Sequence, residues 1–128
     1  MPTRILVVDD DPSILALVAE ILQDEGYDVA TARNGAEAIA RVAETVPAVL
    51  VTDLMMPVMD GPALVQACRA AHATASLPIV VMSAALPVLL DGLGRLGVEE
   101  AVHKPFDTDV LVALIARLVA GTRPASAA

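Results

Sequence analysis

Short unbroken apolar runs alternate along this chain with longer stretches whose apolar residues recur every three or four positions. "ILVV" (Ile5 to Val8) reads as a strand, and Ile14, Leu15, Leu17, Val18, Ile21 and Leu22 follow at helical spacing until Gly26. "YDVATA" (Tyr27 to Ala32) predicts a second strand, and "NGAEAIARVAE" a short helix with Asn34 near its cap. "AVLVT" (Ala48 to Thr52) predicts a third strand, and "PALVQACRAA" a helix that begins near Pro62. "PIVVMS" (Pro78 to Ser83) predicts a fourth strand, "LPVLLDGLGRLG" a fourth helix and "EAVH" a short fifth strand. "DTDVLVALIARLVA" closes the domain as a helix, with Asp107 or Thr108 as its N-cap.

Strands and helices that alternate in this way predict an α/β fold with a parallel sheet. Strands one, three and four are apolar at nearly every position, as expected when helices cover both faces of the sheet. The chain has 128 residues, enough for one domain that buries roughly two thirds of its unfolded surface. We place that domain at residues 1–120 and read 121–128, "GTRPASAA", as a disordered tail or the start of a linker.

Composition narrows the function classes. No apolar run approaches the roughly 18 residues of a membrane span, and "ILVV" is too short for the core of a signal peptide. The one cysteine, Cys68, excludes an internal disulfide and fits a reducing compartment, so a cytoplasmic location is expected. A formal charge of −8 argues against direct nucleic-acid binding, which relies on cations that neutralise phosphates. Lys104 is the single lysine of the chain.

Ligands of open parallel sheets bind beyond the carboxyl ends of the strands. Strand one ends in Asp9 and Asp10, strand three in Asp53, strand four in Ser83 and strand five in Lys104. Each has a plain reading on its own, because strand ends run into polar loops, but chemically matched groups at four strand ends point to one site. Adjacent carboxylates repel unless a positive charge sits among them, and hard oxygen donors suit Mg²⁺. Asp11 stands apart as the expected N-cap of the first helix, with Pro12 at its first position.

"VVDDD", "VTDLMMPVMDG", "VVMSA" and "HKPF", in this order, closely resemble the receiver domain of bacterial two-component response regulators. The resemblance covers residues 4 to 120 and implies a flavodoxin-like (βα)5 sheet of order 2-1-3-4-5. It implies that Asp53 is a phosphoacceptor, that Asp10 ligates Mg²⁺ directly and that Asp9 acts on the metal largely through water. Met55 would offer its backbone carbonyl to the metal. Lys104 would pair with Asp53 and then with a phosphoryl oxygen, Ser83 would hydrogen-bond the phosphoryl group, and Ala84 would leave room for its access. Pro57 and the Asp60–Gly61 pair are turn formers that would hold the nucleophile's loop against the metal. The implied donor is a phosphohistidine on a sensor histidine kinase or a histidine phosphotransfer domain. The implied output is a downstream protein effector or a missing output domain. Such a protein catalyses only its own phosphorylation and dephosphorylation. The Lys104–Pro105 peptide resembles a position that is cis in the family.

Two features depart from the pattern. Ala101 stands where well-known receivers carry Tyr or Phe, and His103, two residues on, shares its side of the strand. Pro87, Gly92 and Gly94 fall within the expected fourth helix, where each interior glycine costs about 1 kcal/mol, so residues 86–97 are expected to be marginally stable and to respond to phosphorylation. Met55 and Ala85 are apolar at positions that tune dephosphorylation in the family. Cys68 is expected to be a packing residue, His72 to face solvent and the apolar stripe of the last helix to be core.

Three other readings compete. A haloacid-dehalogenase-like phosphatase would use Asp9 and Asp11, but leaves Asp53 unexplained and lacks the later acidic pair. A flavodoxin-like nucleotide binder needs a small-residue phosphate loop where "DDDPS" offers anions. A degenerate receiver that works without phosphorylation would have no need of all five active-site groups, although Ala101 departs from the usual switch.

Overall fold

Both faces of a parallel sheet must be covered, so its central strands need apolar residues at successive positions rather than at every second one. The computed structural model, which describes residues 2–83, 98, 100–104 and 107–121, meets that requirement with five strands. These are β1 (Arg4–Val8), β2 (Asp28–Ala32), β3 (Val49–Asp53), β4 (Ile79–Ser83) and β5 (Glu100–His103). They form one sheet in the order β2-β1-β3-β4-β5, and every neighbouring pair is parallel. The described helices are α1 (Pro12–Asp24), α2 (Gly35–Glu44), α3 (Gly61–Ala70) and α4 (Thr108–Gly121), with a short 3-10 turn at His72–Thr74.

The strands sort their residues by parity. Leu6, Val8, Leu50, Ile79 and Val81 point to one face, where they pack with Ala38 and Val42 of α2 and Leu64, Val65 and Cys68 of α3. Ile5, Val7, Val49, Val51, Val80 and Met82 point to the other, against Leu15, Val18 and Leu22 of α1 and Leu111 and Ile115 of α4. Cys68 is a buried packing residue, and His72 is exposed.

Caps set the helix ends. Asp11 accepts hydrogen bonds from the Ser13 and Ile14 N–H groups at 2.9 and 3.4 Å, with Pro12 opening α1 as its sequence position predicts. Gly26, at φ 93°, reverses the chain after α1, and the Tyr27 N–H bonds back to the Leu22 carbonyl. That bond keeps Tyr27 out of the sheet, so β2 begins at Asp28. Asn34 caps α2 by accepting from the Glu37 N–H at 2.9 Å, and Asp107 caps α4 by accepting from the Asp109 and Val110 N–H groups.

The expected fourth helix over residues 86–97 lies outside the described residues, as do Ala84, Ala85, Pro105 and residues 122–128.

The loop from β3 to α3 is where the fold tolerates least change. Asp60 caps α3 through the Ala63 N–H at 2.9 Å, so the helix begins at Gly61, one residue before the expected Pro62. The Gly61 N–H donates to the Leu54 carbonyl at 2.9 Å. A Cβ on Gly61 would lie 2.7 Å from the Asp53 carbonyl oxygen and 2.9 Å from the Leu54 Cα, both backbone atoms that cannot swing aside. Gly61→Ala should therefore lower stability in urea unfolding by about 1–3 kcal/mol. Gly121→Ala, where no atom of the described residues lies within 4 Å, should cost nothing.

Candidate functional site

The strand register brings the polar ends together. Val8 pairs with Thr52, and Asp53 pairs with Met82, so Asp9 and Asp53 emerge side by side at the carboxyl edge. Ser83 pairs with His103, and the Lys104 N–H continues the ladder by donating to the Ser83 carbonyl at 2.8 Å. Asp9 and Ser83 are buried, Asp53 is 8% exposed and Asp10 is exposed.

Lys104 holds the acids together. Its Nζ lies 2.9 Å from Asp9 Oδ2 and 3.2 Å from Asp53 Oδ1. The same Asp53 oxygen accepts the Leu54 N–H at 2.9 Å, and Asp9 Oδ1 accepts the Asp11 N–H at 2.9 Å. Asp11 thus serves the site through its backbone and helix α1 through its side chain. Among the described residues, no buried side-chain nitrogen or oxygen lacks a hydrogen-bond partner.

One ammonium does not balance this much acid. Burial pushes the Asp53 carboxyl above its ordinary range, and the Asp9 charge adds to that effect, while Lys104 and the Leu54 N–H offset only part of it. Burial alone would lower the Lys104 pKa, but its bonds and charge attraction to Asp9 and Asp53 together raise it, so the side chain is held as a cation. Asp9, Asp10 and Asp53 each offer one carboxylate oxygen, and these atoms lie within 4.8 Å of one another. A set of hard oxygen donors with surplus negative charge suits a small divalent cation.

The residues named from the sequence divide clearly. Asp9, Asp10, Asp53, Ser83 and Lys104 all stand at the same strand edge, whereas Met55, two residues beyond Asp53, is 70% exposed. Ala101 and His103 are both exposed on β5, with Val102 between them buried. Asp60–Gly61 reads as a turn in the sequence, which does not foretell that Gly61 packs on the Asp53 backbone. The signal was present in "DGP", an N-cap residue followed by a proline just inside a helix. Val58, at φ 69°, was not foreseen either, because β-branched residues rarely adopt that conformation.

In chelator, Lys104→Met should destabilise the chain by about 3 kcal/mol, because it leaves two buried carboxylates uncompensated. Asp53→Asn should have the opposite sign and raise the urea midpoint, since the fold disfavours the ionised Asp53 side chain. Equilibrium unfolding of the two variants beside the native chain measures both effects.

Known proteins share this arrangement. A family profile described as "Response regulator receiver domain" matches residues 5–116. The DNA-binding response regulator MtrA of Mycolicibacterium smegmatis is 39% identical over 116 residues, which cover 90% of this chain and 50% of MtrA. The transcriptional regulatory protein PrrA of Mycobacterium leprae is 41% identical over 119 residues, covering 91% of this chain and 48% of PrrA. The chain spans about half the length of these curated relatives. Among solved structures, the chemotaxis response regulator CheY4 of Vibrio cholerae superposes with a TM-score of 0.87 at 32% identity, covering 92% of this chain and 99% of CheY4. The receiver domain of a histidine kinase from Syntrophus aciditrophicus gives a TM-score of 0.88 at 28% identity, covering 94% of this chain and 92% of that one. MtrA is named for DNA binding, so the expectation that partners exclude nucleic acid, drawn from the charge of −8, is not supported for regulators of this kind. No helix among the described residues is long and apolar enough to cross a membrane. With the profile matching most of its length, the chain belongs to the response regulator receiver domain family of two-component signalling.

Proposed function

We propose that Asp53 accepts a phosphoryl group from a phosphohistidine on a sensor histidine kinase or a histidine phosphotransfer domain in the cytoplasm. The observation that carries this reading is the Lys104 ammonium placed between the Asp9 and Asp53 carboxylates at 2.9 and 3.2 Å. An Asp53 carboxylate oxygen attacks phosphorus, the bond from phosphorus to the donor imidazole breaks and an aspartyl phosphate forms. Leu54 and Lys104 fix the carboxylate through their bonds to Oδ1, so the nucleophile is oriented before the donor arrives. Lys104 is then positioned to take a phosphoryl oxygen, and Ser83, buried at the carboxyl end of β4 between the strands of Asp53 and Lys104, to hydrogen-bond the group from the same edge.

Asp10 and Asp53 would hold Mg²⁺ directly together with the Met55 backbone carbonyl, and Asp9 would act on it largely through water. The ion would neutralise charge that gathers on the transferring group. Phosphorylation is the chain's own chemistry here, and its effect would pass to a protein effector or to an output domain like those of longer relatives.

Intact mass after incubation with acetyl phosphate and Mg²⁺ tests the reading. The native chain should gain a single phosphoryl adduct that is absent in Asp53→Asn and with chelator. An adduct that survives in Asp53→Asn would move the nucleophile to Asp9 or Asp10, and no adduct under any condition would favour a receiver that works without phosphorylation.

A further inference from the structure

Helix α2 has no use of its own for a glycine at its first position. Gly35 does not adopt a left-handed φ, since Gly26 is the glycine with positive φ among the described residues. Asn34 already supplies the cap, and alanine is favoured over glycine within a helix by up to about 1 kcal/mol. What excludes alanine is a contact from elsewhere in the chain. A Cβ on Gly35 would stand 2.5 Å from the Met59 Cγ, 2.7 Å from the Met59 carbonyl oxygen and 2.8 Å from the Met59 Cβ. This close approach carries a hydrogen bond, in which the Gly35 N–H donates to the Met59 carbonyl at 3.0 Å.

Met59 belongs to the loop between β3 and α3. Its own N–H donates to the Pro57 carbonyl at 2.8 Å and closes a three-residue turn around Val58 at φ 69°. A β-branched residue in that conformation costs about 1–3 kcal/mol and persists only where its surroundings hold it. The Gly61 bond to Leu54 closes the loop on itself, whereas the Gly35 bond ties it to a different element.

We infer that Gly35 is a positioning residue: its N–H grips the Met59 carbonyl and fixes the loop that presents Met55 beside Asp53, which couples the start of α2 to the metal side of the site. The inference rests on the proposed phosphoacceptor reading for the purpose of the loop, while the grip itself is a matter of backbone geometry. If the loop holds metal better when gripped, linkage requires that metal strengthen the grip by the same factor.

Amide hydrogen exchange on the native chain, with and without Mg²⁺, is therefore the first test. Saturating Mg²⁺ should slow exchange at Gly35 on the order of fivefold or more. Gly35→Ala should weaken Mg²⁺ binding and slow adduct formation from acetyl phosphate by about tenfold. Met59→Ala, which keeps the backbone carbonyl, should leave both within about twofold of native while losing some stability. A purely structural role would lower stability in both variants and leave metal affinity in place. The inference is overturned if Mg²⁺ leaves Gly35 exchange unchanged, if folded Gly35→Ala binds Mg²⁺ like the native chain, or if Met59→Ala is impaired as strongly as Gly35→Ala. Should Gly35→Ala fail to fold, exchange on the native chain decides alone. A native chain that forms no adduct but shows Mg²⁺-slowed exchange at Gly35 would refute the phosphoacceptor reading and leave the grip standing.

Discussion

Asp9 and Asp53 leave neighbouring strands at the same level, and both are largely shut away from water. Two like charges about 4 Å apart repel by about 4 kcal/mol at an effective dielectric of 20, against about 1 kcal/mol in water. Lys104 is what allows them to share that edge, since its ammonium touches both. It answers two negative charges with one positive charge, and Asp10 adds a third acid within reach. The site thus carries surplus negative charge, which suits a divalent cation. Asp53 registers that surplus directly, through a carboxyl pushed upward by burial and by Asp9.

The sheet makes such a site possible because parallel strands bring all their carboxyl ends to one edge. Strand register sets the level of each residue, and the helices on both faces keep the strands rigid. The β3–α3 loop then needs close backbone packing, which explains why glycine occupies both of its tight contacts. Gly61 lets α3 begin against the carbonyl of Asp53, and Gly35 lets α2 begin against that of Met59. An N-cap residue precedes each glycine, so Asn34 and Asp60 start the helices while the glycines let them approach.

Much of this was legible in the sequence, for identifiable reasons. Continuous apolar runs such as "ILVV" and "PIVVMS" are what a doubly covered parallel strand requires, and their flanking polar residues located the functional edge. Asp11 before Pro12 announced its cap. The strand order was not contained in the apolar pattern, because alternating elements are compatible with several orders, and it came from family resemblance. Nor could composition reveal which acid Lys104 grips first, since that depends on side-chain geometry across strands 95 residues apart in sequence. The tight contacts of Gly35 and Gly61 escaped notice because a glycine beside a cap residue already has an ordinary explanation as a turn. Val58 went unseen because its backbone conformation opposes its local preference, and only the surrounding structure sustains it.

The proposed function makes Asp9, Asp10 and Asp53 one cation site and leaves out Asp11, the residue next to Asp10. The most direct measurement is Mg²⁺ affinity by calorimetric titration of the native chain and of single Asp→Asn variants at positions 9, 10, 11 and 53. The account predicts saturable one-site binding that is weakened at least about tenfold by change at 10 or 53, and weakened also at 9. It predicts near-native affinity at 11, where asparagine keeps the helix cap. Equal losses at 10 and 11, or affinity untouched by Asp53→Asn, would contradict it.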